Sequence, residues 1–255
     1  MLRPYAFILI IFFAMIPACA ETVPKEVYLL IGQSNMAGRG KVTKDISVPL
    51  TGAYLLNSKG QWESARNPLN RYSTIRKSLG MQKLGPGFGF TLEMMQQRPK
   101  VTIGLVVNAK GGSKIKEWQP GATFFSEAVM RTKQALAAGA ELKGILWHQG
   151  ESDSNNGNYV KKDLKPIIIA LRKEFGNPDL PFIVGETFSG DFKGKKSNRD
   201  KINKQLKQVP ALVPVTACAS SKGLSTFDGT HFDTKSQLEL GKRYATAMLG
   251  LQKSK

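Results

Sequence analysis

Val27-Tyr28-Leu29-Leu30-Ile31-Gly32-Gln33-Ser34-Asn35-Met36-Ala37-Gly38 is the stretch that decides the fold. Residues 27–31 form an apolar run without polar alternation, the pattern of a parallel strand covered on both faces. At Gly32 the run breaks into a polar turn that carries Ser34. A strand feeding a helix through such a turn exposes a hydroxyl at the strand's carboxyl end. It also sets Ser34 among the first N–H groups of the helix, which have no intrahelical acceptor. A plain helix cap would use the same residue type.

Working outward, residues 101–108, 142–147, 181–185 and 212–219 are further short runs rich in Val, Ile and Leu. Between and after them, apolar residues recur at helical spacing over 124–138, 159–175, 199–208 and 234–251. Strands alternating with helices predict an α/β fold, a central parallel sheet of about five strands with helices on both faces. Residues 39–81 break the rhythm. They are rich in Gly, Pro, Asn and Ser, include Trp62 and Tyr72, and are expected to shape the rim of a site rather than form a second domain. Residues 189–198 read as a basic loop.

The chain has 255 residues, 41% apolar and 22% charged, enough for one α/β core. Residues 1–20 differ in kind: Arg3, an apolar stretch, then Ala18-Cys19-Ala20. This is the pattern of a signal peptide, which leaves 21–255 as one domain of a secreted or periplasmic protein. The apolar stretch is too short for a comfortable transmembrane anchor. Lipoprotein processing at Cys19 is the alternative, although Pro17 suits it poorly. Cleavage after Ala20 leaves Cys218 as the one cysteine, expected to be an inert core residue. No metal site is expected, because His and Cys ligands are too few.

The net charge is +18, one less once Arg3 is removed. Nucleic acid, an anionic membrane and an acidic polysaccharide all attract such a charge. Export argues against nucleic acid. The lysines are scattered, with the densest run at 193–196 in the basic loop, so either a solvated surface or an anionic glycan accounts for them.

Four polar clusters flank the expected strands: 32–38, 109–113, 147–153 and 228–233. The first three follow strands, and ligands of open α/β sheets bind outside the carboxyl ends of strands. The Gly111-Gly112 pair lets backbone approach a ligand closely. Residues 147–153 put His148, Gln149, Glu151 and Asp153 into one loop. In the fourth cluster, Asp228 and His231 are spaced so that the carboxylate can hold one ring nitrogen while the other faces a nucleophile. The chain has two histidines, so any serine–histidine mechanism uses His148 or His231. His231 has the acidic neighbour; His148 ends a buried strand and is expected in the site wall or the core.

The strings GQSNMAG, GGSKIKEW, HQGESD and DGTH, in this order, resemble the SGNH-type hydrolases, and most of all their sialate O-acetylesterase and carbohydrate esterase family six branch. The resemblance runs from Val27 to the last helix. It implies a three-layer flavodoxin-like SGNH hydrolase fold and a serine esterase that needs no metal or organic cofactor. It implies Ser34 as nucleophile, His231 as base, and Asp228 as the acid, with Glu151 orienting the histidine instead of or beside Asp228. The oxyanion donors it implies are Ser34, a glycine of the pair (Gly112 preferred) and Gln149, where many relatives carry asparagine. Gln33, Asn35, Gly111 and His148 are then expected to bind substrate, an acetylated carbohydrate. The alternatives are an inactive carbohydrate-binding relative, an esterase of other acyl groups, and a basic surface-binding protein.

Overall fold

The computed structural model describes residues 23–253. The signal-peptide reading, with Arg3 and Cys19, lies outside the described residues. The central strand β1 (Glu26–Gly32) is buried along its whole length. Side chains alternate across a strand. Tyr28 and Leu30 therefore enter one core layer, and Val27, Leu29 and Ile31 the other. Residues on both faces of β1 are apolar because both faces are covered by helices.

β1 pairs in parallel with β4 (Ile103–Ala109) on one side and β5 (Glu141–His148) on the other. The register sets Gly32 opposite both Ala109 and His148. Three polar clusters thus leave the sheet at the same level. β6 (Phe182–Gly185) and β9 (Thr216–Ala219) extend it beyond β5. Beyond β4 lie β2 (Ala53–Leu56), parallel, and β3 (Trp62–Ser64), antiparallel. The order is β3-β2-β4-β1-β5-β6-β9. The five expected strands are all present, but the sheet has seven: residues 39–81 supply its far edge as well as a rim. Residues 189–198 hold a short antiparallel ribbon, β7 (Asp191–Phe192) and β8 (Lys195–Lys196).

One helical layer contains α3 (Thr123–Leu136), α4 (Lys165–Glu174), α5 (Asp200–Leu206) and the short α6 (Val209–Leu212). The other contains α2 (Pro86–Gln97) and α7 (Thr234–Lys253). The four-residue α1 (Ser34–Ala37) follows β1 directly.

Two expected elements change character. The strand foreseen at 212–219 begins only at Thr216, because Pro214 lacks an N–H and Val215 adopts φ 52°. The helix foreseen at 159–175 starts as a π-helix, Tyr159–Leu164, and becomes regular at Lys165. Pro166 sits in the first turn of α4, where its missing N–H costs nothing.

Helix α2 was not evident from periodicity, since Pro86, Gly87 and Gly89 are poor helix formers. Its glycines serve packing. A Cβ on Gly89 would lie 2.3 Å from Leu238 O, and one on Gly241 2.2 Å from Pro86 O, so α2 and α7 approach nearly backbone to backbone. That close crossing holds α7, and the turn before it, against the sheet. Cys218 is half-buried, and burial pushes its thiol up to about 12, which keeps it protonated and unreactive.

Candidate active site

Ser34 opens α1 at the carboxyl end of β1. The turn 226–233 reaches it from the start of α7. That turn is closed by a bridge between Thr226 and Phe232 and by Phe227 N–H donating to His231 O (3.1 Å). Asp228 Oδ1 accepts from the N–H groups of Thr230 (2.9 Å) and His231 (2.7 Å). Its Oδ2 lies 2.6 Å from His231 Nδ1, and His231 Nε2 lies 2.9 Å from Ser34 Oγ. With Nδ1–H donating to Asp228, Nε2 offers its lone pair to the serine hydroxyl. Partial burial acts to raise the Asp228 pKa, but the hydrogen bonds from the His231 ring and from the two backbone N–H groups outweigh it and hold it below the ordinary carboxylate value. The exposed ring of Phe227 stacks on His231, centroids 5.9 Å apart.

The cavity beside this line has a volume of about 320 Å³. Gln33, Ser34, Gly111, Gly112, Glu151 and His231 line it. Gly112 sits at φ 74°, a conformation L side chains rarely adopt, so glycine is needed to turn the chain there. Larger grooves, about 550 and 540 Å³, lie elsewhere on the surface and contain no histidine.

Other sequence-predicted residues take different places. Gln149 is fully buried and turned away from the cavity. Its Nε2 donates to Ser113 O (3.1 Å) and Asp153 Oδ2 (2.5 Å), and its Oε1 accepts from Tyr159 O–H (2.5 Å). Both amide hydrogens are committed, which corrects its assignment as an oxyanion donor. Gln33 lines the cavity instead, its Oε1 accepting from Gly150 N (3.4 Å) and Ser152 N (3.2 Å).

Glu151 is not bonded to the His231 ring. Its Oε1 accepts from Asn35 Nδ2 (2.6 Å) and lies 3.5 Å from His148 Nε2. Burial works to raise its pKa, but the His148 ring beside it and the hydrogen bond from Asn35 prevail and hold it below the ordinary value. The carboxylate on the His231 ring is that of Asp228. His148 and Asn35 are both fully buried, which corrects their assignment to substrate binding. His148 Nδ1 meets Tyr244 Oη at 3.0 Å. The Asn35 side chain bonds Glu151, Thr230 O, Phe232 N and Gln237.

Three cationic residues at the rim were not foreseen individually: Arg39, Lys77 and Arg199. Arg39 and Lys77 fall within 39–81, the segment expected at the rim. Arg39 Nη1 donates to Gly38 O (2.7 Å) and Met81 O (2.9 Å). Arg199 donates to Gly229 O (2.9 Å) and Thr230 Oγ1 (2.8 Å). Nothing in the sequence around Arg199 marks it as a site residue.

A family model described as carbohydrate esterase, sialic acid-specific acetylesterase (SASA), matches residues 24–250. The chain belongs to the SASA family. This carbohydrate esterase is 31% identical over 246 residues to a probable carbohydrate esterase of Arabidopsis thaliana, covering 89% of the chain and 91% of the relative. A crystal structure of that Arabidopsis protein superposes with a TM-score of 0.78 at 28% identity, covering 89% of the chain and 98% of the neighbour. NanS shares the fold at a TM-score of 0.66 and 13% identity, with 92% and 100% covered. A carbohydrate acetylesterase of Xanthomonas citri shares it at 0.62 and 19%, with 90% and 57% covered. The SASA esterase is thus a carboxylic ester hydrolase on an α/β scaffold with a mostly parallel sheet.

Proposed function

We propose that this carbohydrate esterase is exported and removes O-acetyl groups from glycans through an acetyl-Ser34 intermediate. The supporting observation is the unbroken line Ser34 Oγ, His231 Nε2, His231 Nδ1, Asp228 Oδ2, with links of 2.9 and 2.6 Å. His231 takes the Ser34 hydroxyl proton as Oγ attacks the acetyl carbonyl. Backbone N–H groups of Ser34 and Gly112 stabilise the oxyanion, with the Gln33 amide in the role expected of Gln149. His231 then gives its proton to the sugar oxygen as the C–O bond breaks. Water, deprotonated by His231, releases acetate and restores Ser34.

The preferred glycans are anionic. Arg39 and Arg199 are held by carbonyls and a hydroxyl, so their positive charge is not spent on carboxylates. Glu151, the carboxylate among the lining residues, is tied to Asn35 and His148. Burial lowers the Arg39 pKa, an unfavourable situation that an anionic sugar group would relieve.

The test is acetate release from 4-nitrophenyl acetate and from neutral and acidic acetylated glycans, for the wild type beside Ser34→Ala. Loss of the nucleophile is expected to cost about 10⁴- to 10⁶-fold in kcat. Equal activity of the two proteins would overturn the mechanism. Cleavage of acidic glycans should slow as salt rises, because exposed charges are screened; salt-independent rates would remove the anionic preference.

A further inference from the structure

We propose that Asn35 is a positioning residue that sets the distance between Ser34 and His231, an inference that rests on the serine-esterase reading. The nucleophile and the base are 197 residues apart and stand on separate supports, α1 and the turn before α7. The turn's own hydrogen bonds fix its shape but do not fix it relative to Ser34. Asn35 supplies that link. It is the covalent neighbour of Ser34, and its side chain grips both peptide groups that flank His231. Nδ2 donates to Thr230 O (3.1 Å), and Oδ1 accepts from Phe232 N–H (3.1 Å).

The grip is saturated. A carboxamide has two donor hydrogens and two acceptor lone pairs on its oxygen. The second hydrogen goes to Glu151 Oε1 (2.6 Å), and the second lone pair accepts from Gln237 Nε2 (3.2 Å). The amide has one orientation consistent with these partners, because Phe232 N–H can only donate. Behind it, Glu151 faces His148 Nε2 (3.5 Å), His148 meets Tyr244 Oη (3.0 Å), and Tyr244 donates to Trp147 O (2.7 Å). The clasp is therefore braced by the end of β5 and by α7.

This explains why the residue is asparagine. Aspartate would lose both donors and set a second carboxylate against Glu151. Serine would be too short to span Thr230 O and Phe232 N. An apolar residue would take this partner from Thr230 O, Phe232 N–H, Glu151 Oε1 and Gln237 Nε2. A displacement of about 1 Å in a reacting pair costs on the order of 10²-fold in rate.

The experiment uses the mature chain as wild type, Asn35→Ala, the near-isosteric Asn35→Asp, Ser34→Ala and Arg131→Met. Arg131 is buried on α3, donates to Leu56 O and Asn57 O, and neither it nor these partners line the cavity, so its loss reports destabilisation alone. Measured are kcat and KM on 4-nitrophenyl acetate, thermal melting, and the ring signals of ¹⁵N-labelled histidine, which come from two residues only. The expected result is folded Asn35 variants with kcat reduced about 10²-fold and KM within about threefold of wild type. Their His231 signals shift, while Arg131→Met melts lower with kcat and signals unchanged. Folded Asn35 variants within about threefold of wild-type kcat would overturn the proposal. So would an equal kcat loss in Arg131→Met, or failure of both Asn35 variants to fold. If the wild type is no more active than Ser34→Ala, the esterase reading fails instead, and the clasp is judged by the His231 signals, which must move in Asn35→Ala and stay in place in Arg131→Met.

Discussion

Two groups of polar side chains share one edge of the sheet and differ in what surrounds them. The turn that carries Asp228 and His231 is open: their side chains are 39% and 23% exposed. The loop after β5, with its neighbour Asn35, is closed: His148, Gln149 and Asn35 are fully buried, and the Glu151 side chain is 3% exposed. Both groups hold a histidine facing a carboxylate three residues away in sequence. Only in the open group is the other ring nitrogen turned to a hydroxyl at the cavity wall. The same residue types therefore face a cavity in one group and pack against one another in the interior in the other.

This division predicts opposite consequences for substitutions in the two groups. Asp228→Asn is expected to show the largest effect on rate. The amide can no longer hold His231 in the tautomer that presents Nε2 as an acceptor, and kcat should drop about 10²- to 10⁴-fold. Melting should barely change, since the residue is exposed. A steady-state assay beside a melting curve decides the point; a stability loss with intact rate would place Asp228 with the closed group.

Gln149→Met should reverse that pattern. It takes the side-chain donor from the Ser113 carbonyl, at a cost of about 1–3 kcal/mol of stability, while Asp153 keeps the Ile115 N–H and the Tyr159 hydroxyl keeps Gln149 O and Trp147 Nε1. Urea unfolding would measure this. If Gln149 were an oxyanion donor, kcat would also drop about 10²- to 10³-fold, and that outcome would break the comparison.

The smallest effect concerns pH. The Glu151 carboxyl is held below its ordinary value, against its burial, by the neighbouring His148 ring and the hydrogen bond from Asn35. A depressed carboxylate stabilises the fold above its unfolded value, about 4.3, and that contribution is lost as pH falls through the lower folded value. Wild type should therefore lose melting temperature more steeply below this range than Glu151→Gln does. Parallel melting curves from neutral to acid pH would show that Glu151 carries no such linkage.

The open group was legible in the sequence for a simple reason. With two histidines in the chain and one of them three residues after an aspartate, the candidates for a base were few. Ser34 could be read from its place after an unbroken apolar run, since strand and turn are local. The closed group was misread at Gln149, Glu151 and Asn35, and at His148 only in its assignment to substrate, because direction is not local. Which way the Gln149 amide points depends on Ser113, Asp153 and Tyr159, up to 36 residues away. Helix α2 escaped notice because its glycines answer to contacts with α7 rather than to helix propensity. Arg199 joined the site through bonds to Gly229 and Thr230 that no spacing announces.

The sequence by itself determined the alternation of strands and helices, the serine at the end of the first strand, and the aspartate–histidine turn before the last helix. Each rests on hydrophobic periodicity or short-range spacing, which chain geometry translates directly into structure. Only the tertiary structure decided which polar groups face the cavity and which face one another. A buried amide or carboxylate must satisfy its hydrogen bonds with whatever packing brings near, and the parallel register of β4, β1 and β5 is what brings these groups together.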